Sequence, residues 1–94
     1  MLKLNVGQVT LVANTATEIV PSRSGRKELR MFGFGGSSNQ AAFGSTNGVT
    51  LTNGFKPLDS SLTTVTLAGM EDSVFGFCAV AKVIQFLEIY EDGI

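Results

Sequence analysis

The stretch "KVIQFLEIYE", Lys82 to Glu91, decides the fold. Val83, Gln85, Leu87 and Ile89 alternate along it with Ile84, Phe86, Glu88 and Tyr90. A period of two sends the two sets to opposite faces of an extended chain, and the β-branched and aromatic content suits a strand. As the most apolar candidate strand, it is expected to be central, with a neighbour on each side. The same alternation recurs upstream. "QVTLVA" sets Val9 and Leu11 against Thr10 and Val12. "ELRMFGF" sets Leu29, Met31 and Gly33 against Arg30, Phe32 and Phe34, and "LTTVTLA" sets Val65 and Leu67 against Thr64 and Thr66. Helical spacing is not sustained over any window, so no helix is expected.

Turn residues separate these runs. "VPSRSGRK" (20–27) stops one strand at Pro21, which has no N–H for a ladder, and reverses at Gly25. "GGSSNQ", "KPLDSS" (56–61) and "AGMEDS" (68–73) punctuate the rest. Strands at intervals of about 8–12 residues predict a small antiparallel β-sandwich or barrel. The expectation is about seven or eight short strands in one all-β domain spanning 1–94, a length that suits a single modest core.

Two glycine-rich stretches, "GFGGSS" (33–38) and "GSTNGVTLTNGF" (44–55), raise the possibility of a phosphate cradle. A Walker loop needs Lys-Ser or Lys-Thr directly after its last glycine, and neither stretch has that lysine. A dinucleotide fingerprint needs a following helix, whose N-terminus meets the pyrophosphate; here strand-like sequence follows. The Asn-Gly pairs instead predict primed hairpin turns, with Gly48 and Gly54 at positive φ.

The 94 residues contain no histidine and one cysteine, Cys78. A Ser-His-Asp or Cys-His arrangement and a cysteine–histidine zinc site are thereby excluded, as is a disulfide within the chain. Cys78, flanked by apolar residues in "VFGFCAV", reads as a buried inert thiol. "DSSLTT" and "EDSVFG" do not complete the oxygen spacing of a calcium loop. The chain is therefore expected to be no enzyme and to need no cofactor or metal. Charged residues make up 16%, against the ~25% of an average domain, and the net charge is −1. Such a chain has no field that would draw it to nucleic acid or to an anionic membrane. No run approaches the ~18 apolar residues of a membrane helix, and "MLKLNVGQ" lacks a continuous apolar stretch for a secretory signal. A soluble protein made in a cytoplasm is the expectation.

Four of the seven basic residues, Arg23, Arg26, Lys27 and Arg30, crowd into "RSGRKELR". Strict alternation with Leu29 and Met31 inward would put Arg26 and Arg30 on one outer face. These two arginines would then be free to meet carboxylates on a partner, with Lys27 of the same strip a third partner-binding candidate. Phe32, Phe34 and Phe43 near this strip suggest base stacking only weakly, because a nucleic-acid surface interleaves more lysine and arginine.

From "IVPSRSGRKELRMFGFG" to "FLEIYE" the chain resembles small β-domain structural proteins of tailed bacteriophages. The motifs are Val20-Pro21, "GRKEL" (25–29), "AAFG" (41–44), "VTLTNGFKPL" (49–58), "LTTVTL" (62–67), "SVFGFCA" (73–79) and "VIQFLEIYE" (83–91). The glycine-rich "GFGGSSN" stands where such proteins carry a short asparagine-containing turn. The resemblance implies a virion protein assembled in the host cytoplasm, most directly a capsid decoration or cement protein. Its partners would be the major capsid protein or other virion proteins, and copies of itself, with a trimer favoured. Tail, neck or fibre accessory roles, or a module binding a host receptor or carbohydrate, are the alternatives. With no tryptophan and Tyr90 as the one tyrosine, an aromatic sugar platform finds little material.

Overall fold

A computed structural model describes residues 1–33, 41–56 and 64–92. Seven strands follow one another in it: β1 (Leu2–Leu11), β2 (Thr17–Val20), β3 (Arg26–Phe32), β4 (Ala42–Gly44), β5 (Thr64–Ala68), β6 (Val74–Phe77) and β7 (Lys82–Glu91). They form two antiparallel sheets, one of four strands in the order β1-β7-β3-β5 and one of three in the order β2-β6-β4. The domain is all-β and sandwich-like, and no helix occurs among the described residues. β7 is central as its sequence requires, with β1 on one side and β3 on the other. A ten-residue strand spans about 33 Å. β1 and β7 therefore set the long axis of a molecule measuring 44 × 26 × 18 Å.

The period-two faces come out as the sequence demands. Leu11, Leu29, Met31, Val65 and Ile84 point inward from the larger sheet. They meet Ile19, Val20, Phe43, Val74 and Cys78 across the sandwich, and Cys78 is fully buried. Packing is close where the sheets touch. At Gly76 in β6 a methyl group would stand 2.9 Å from Leu11 Cδ2 and 3.0 Å from Ile19 Cδ1, so a larger residue there would have to push both side-chain tips aside.

The Asn-Gly expectation is not met. Neither Gly48 nor Gly54 lies at positive φ; Gly25, Gly33 and Gly69 do, together with Asn14 in the turn between β1 and β2. Residues 45–54 make no hairpin of two strands but a loop closed at its base. Phe43 and Phe55 exchange backbone hydrogen bonds of 2.9 and 2.8 Å there, and their rings lie 5.3 Å apart. Asn53 holds the loop together. Its Oδ1 accepts from the Thr50 N–H at 2.7 Å, and its Nδ2 donates to the Gly48 carbonyl at 3.1 Å. Gly54 is required for space: a Cβ would lie 2.6 Å from Val49 Cγ2, 2.8 Å from the Thr50 oxygen and 2.9 Å from the Ala42 Cβ. Of the "GFGGSS" stretch, only Gly33 falls within the described residues.

Candidate interaction surface

The basic strip does not form one outward face. β3 pairs with β7 in register from Glu28 to Phe32, but Arg26 lies opposite Tyr90 while Glu28 lies opposite Ile89. One extra residue, Lys27, is accommodated there as a β-bulge, and a bulge reverses the alternation beyond it. Arg26 therefore joins Leu29 and Met31 on the inner face and is only 1% exposed. The expectation that Arg26 and Arg30 share a free outer face is corrected on this ground.

Burial of a guanidinium requires compensation, because a charge taken out of water without partners is very costly. Each of the three Arg26 guanidinium nitrogens has a partner. Its Nε donates to Glu88 Oε2 at 2.7 Å. Its Nη1 donates to the carbonyls of Met70 (3.1 Å) and Asp72 (2.7 Å), and its Nη2 to that of Pro21 at 2.5 Å. The side chain thus ties β7 to the β2–β3 and β5–β6 connections. Glu88, also 1% exposed, is held at its other oxygen by Asn5 Nδ2 at 3.1 Å and in an ion pair with Arg23 Nε at 3.0 Å. Burial alone would push the Glu88 carboxyl up. The hydrogen bonds from Asn5 and Arg26, the Arg23 contact and the charge of Arg26 outweigh it and hold the group below the usual carboxylate range. Arg23 also lies over the Tyr90 ring, 4.0 Å from its centroid. With both oxygens occupied, Glu88 is built to stay ionised and to brace the sheet, not to exchange protons with a ligand.

Lys27 and Arg30 are the members of the strip that face outward. Arg30 Nε contacts Glu28 Oε2 at 2.6 Å on the same strand, with the arginine side chain still half exposed. Lys27 stands at the bulge, close enough to Glu91 for its charge to favour that carboxylate, which the N-terminal ammonium contacts at 2.6 Å. Among the described residues no cluster of three or more metal-ligating side chains occurs.

Sequence reasoning missed the buried acid. The signal was present, since Glu88 falls on the same alternating face as Ile84 and Phe86, where a carboxylate requires a cation. A second feature lies on the outer face of the large sheet. Leu2, Leu4 and Val6 of β1 are 60–64% exposed. They continue through Leu87 and Ile89 toward Phe32. A trough of about 410 Å³ opens there, between Val6, Gln8, Phe32, Gln85 and Leu87.

No family model, no curated protein and no solved structure matches the chain.

Proposed function

We propose that the protein is a non-enzymatic structural subunit of a phage virion, decorating or cementing the head shell through contacts with the major capsid protein and with its own copies. The observation that carries this reading is the outward stripe Leu2, Leu4 and Val6 on a ten-residue edge strand. Contiguous large apolar side chains left in water on a charge-poor, nearly neutral chain are what a subunit keeps for other subunits. The resemblance in the "VP", "GRKEL" and "VTLTNGF" segments supplies the kind of assembly. Lys27 and Arg30 provide rim charges for acidic groups on a neighbour, which set orientation and association rate more than affinity.

Quantifying the protein in purified particles tests the reading. Copies in proportion to the capsid lattice are expected. A few copies confined to a vertex or tail would move it to an accessory role, and none at all would overturn it. Reversing the two rim charges, Lys27→Glu with Arg30→Glu, is expected to lower occupancy on particles at low salt while the isolated domain keeps its fold. Wild-type occupancy at low and moderate salt would remove Lys27 and Arg30 from the interface.

A further inference from the structure

We infer that β1 is a self-pairing edge: it adds antiparallel to β1 of a second copy about a twofold axis normal to the large sheet, joining two four-stranded sheets into one. The inference rests on the self-association in the proposed function and not on where the assembly sits.

The backbone phase of β1 gives the first argument. The Asp92 N–H donates to the Met1 carbonyl at 3.0 Å, and the register continues from there as Leu2↔Glu91, Lys3↔Tyr90 and onward without interruption to Leu11↔Lys82. In an antiparallel ladder, residues that exchange bonds with the partner alternate with residues whose N–H and C=O turn away. The odd residues of β1 therefore bond to β7. Leu2, Leu4, Val6, Gln8 and Thr10 turn their backbone groups to the side where no described strand lies.

The side chains give the second. Leu4 and Val6 lie directly opposite Ile89 and Leu87 on one face of the sheet. Leu4 and Val6 are exposed at 64% and 62%, whereas Ile89 and Leu87 are only partly exposed. The four residues share a face and a chemistry, and differ in having one neighbouring strand or two. What the β1 stripe lacks is therefore a strand beside it rather than a layer over it. That identifies the occupant as an extended chain.

Three observations select a second copy. Long edges are ordinarily guarded by charge, proline or a bulge. β1 has one lysine, no proline and ten unbroken register pairs, while the other described edge strands, β5, β2 and β4, are five, four and three residues long. Antiparallel pairing centred on Asn5 sets Leu4 opposite Val6 and Leu2 opposite Gln8, apolar against apolar at the centre. It also carries the two Lys3 side chains, the only charges in β1, to opposite ends of the contact. This makes a dimer, where the resemblance favours a trimer.

The test uses the whole chain, by light scattering and by amide hydrogen exchange across a concentration series. A dimer is expected at high micromolar concentration. The amides of Leu4, Val6 and Gln8 are expected to become protected as it forms, while those of Asn5, Gly7 and Val9 are protected throughout. Leu4→Lys with Val6→Lys is expected to give a monomer with an unchanged circular dichroism spectrum. Val83→Lys, on the same sheet but opposite Thr10 and outside the pairing, is expected to leave the dimer intact. A monomer at every concentration overturns the inference. So does an oligomer in which the even-numbered amides stay unprotected, an outcome readable on the wild type even if the double variant does not fold. A dimer with the alternating protection, in a protein absent from particles, upholds this inference and overturns the virion reading.

Discussion

β1 and β3 flank β7 on its two sides and answer it in opposite ways. β3 breaks register at Lys27, turns Arg26 inward and secures the far end of the sheet with buried charge. β1 keeps register over its whole length and has no described strand on its far side. One flank concentrates stability inside the subunit; the other holds surface in reserve for a contact outside it. Substitutions at the buried charge of β3 should therefore destabilise the domain, while substitutions on the outward stripe of β1 should change its association.

Arg26→Ala is the severest test of that contrast. It leaves Glu88 buried with only Arg23 and Asn5 and frees three loop carbonyls, so a loss of about 3–5 kcal/mol in urea unfolding is expected. A loss under about 1 kcal/mol would show that β3 does not carry the fold as argued.

The glycines on the two flanks sharpen the comparison. Gly25 precedes β3 at φ +81°, and a Cβ there would lie 2.6 Å from the Glu91 carbonyl oxygen. That atom is backbone in a paired strand and cannot retreat, so Gly25→Ala is expected to cost about 1–3 kcal/mol. Gly7 in β1 has no such φ, and a Cβ there would meet the tip of the Phe86 ring at 2.9 Å, which a rotation relieves. Gly7→Ala is expected to cost less, and equal losses in paired thermal melts would break the distinction.

Acid should find the β3 side too. Because the folded state holds Glu88 ionised below the usual carboxylate range, its contribution is complete above about pH 4.3, the unfolded value. It is lost as pH falls through the lower folded value. Stability of Glu88→Gln, already reduced, is expected to fall less steeply than wild type below that pH. Parallel acid profiles would contradict the assignment. The smallest effect belongs to Arg30→Ala, which removes a half-exposed pair with Glu28 and is expected to cost no more than about 1 kcal/mol in the same unfolding assay.

The faces of β5, β7 and β3 from Glu28 onward were legible because alternation is a local property and these stretches keep their phase. Leu29 and Met31 inward, Phe32 outward and the central place of "KVIQFLEIYE" all follow from it. Arg26 was misread because a bulge exists only against a partner's register, and a single strand's sequence does not contain that partner. Gly48 and Gly54 were misread for a related reason. Asn-Gly tolerates positive φ but does not require it, and at Gly54 the demand comes from Val49 and Ala42 packing against it. The Glu88 cluster draws Asn5, Arg23 and Arg26 from distant parts of the chain, so only the misplaced charge itself could be seen in advance.

The pairing of β1 with β7 also governs the order of events on the ribosome. The Met1 ammonium finds its carboxylate 90 positions later, at Glu91, and every rung of the β1 ladder spans a comparable distance. Synthesis at about 5–20 residues per second leaves β1 waiting several seconds for its partner, with both sides unpaired. Contacts so distant in sequence also close slowly once the chain is complete. During that interval a ten-residue strand with a single charge, Lys3, is available to any neighbouring nascent chain. Slowing the arrival of β7 should therefore raise aggregation during expression, and Leu4→Lys with Val6→Lys should suppress it.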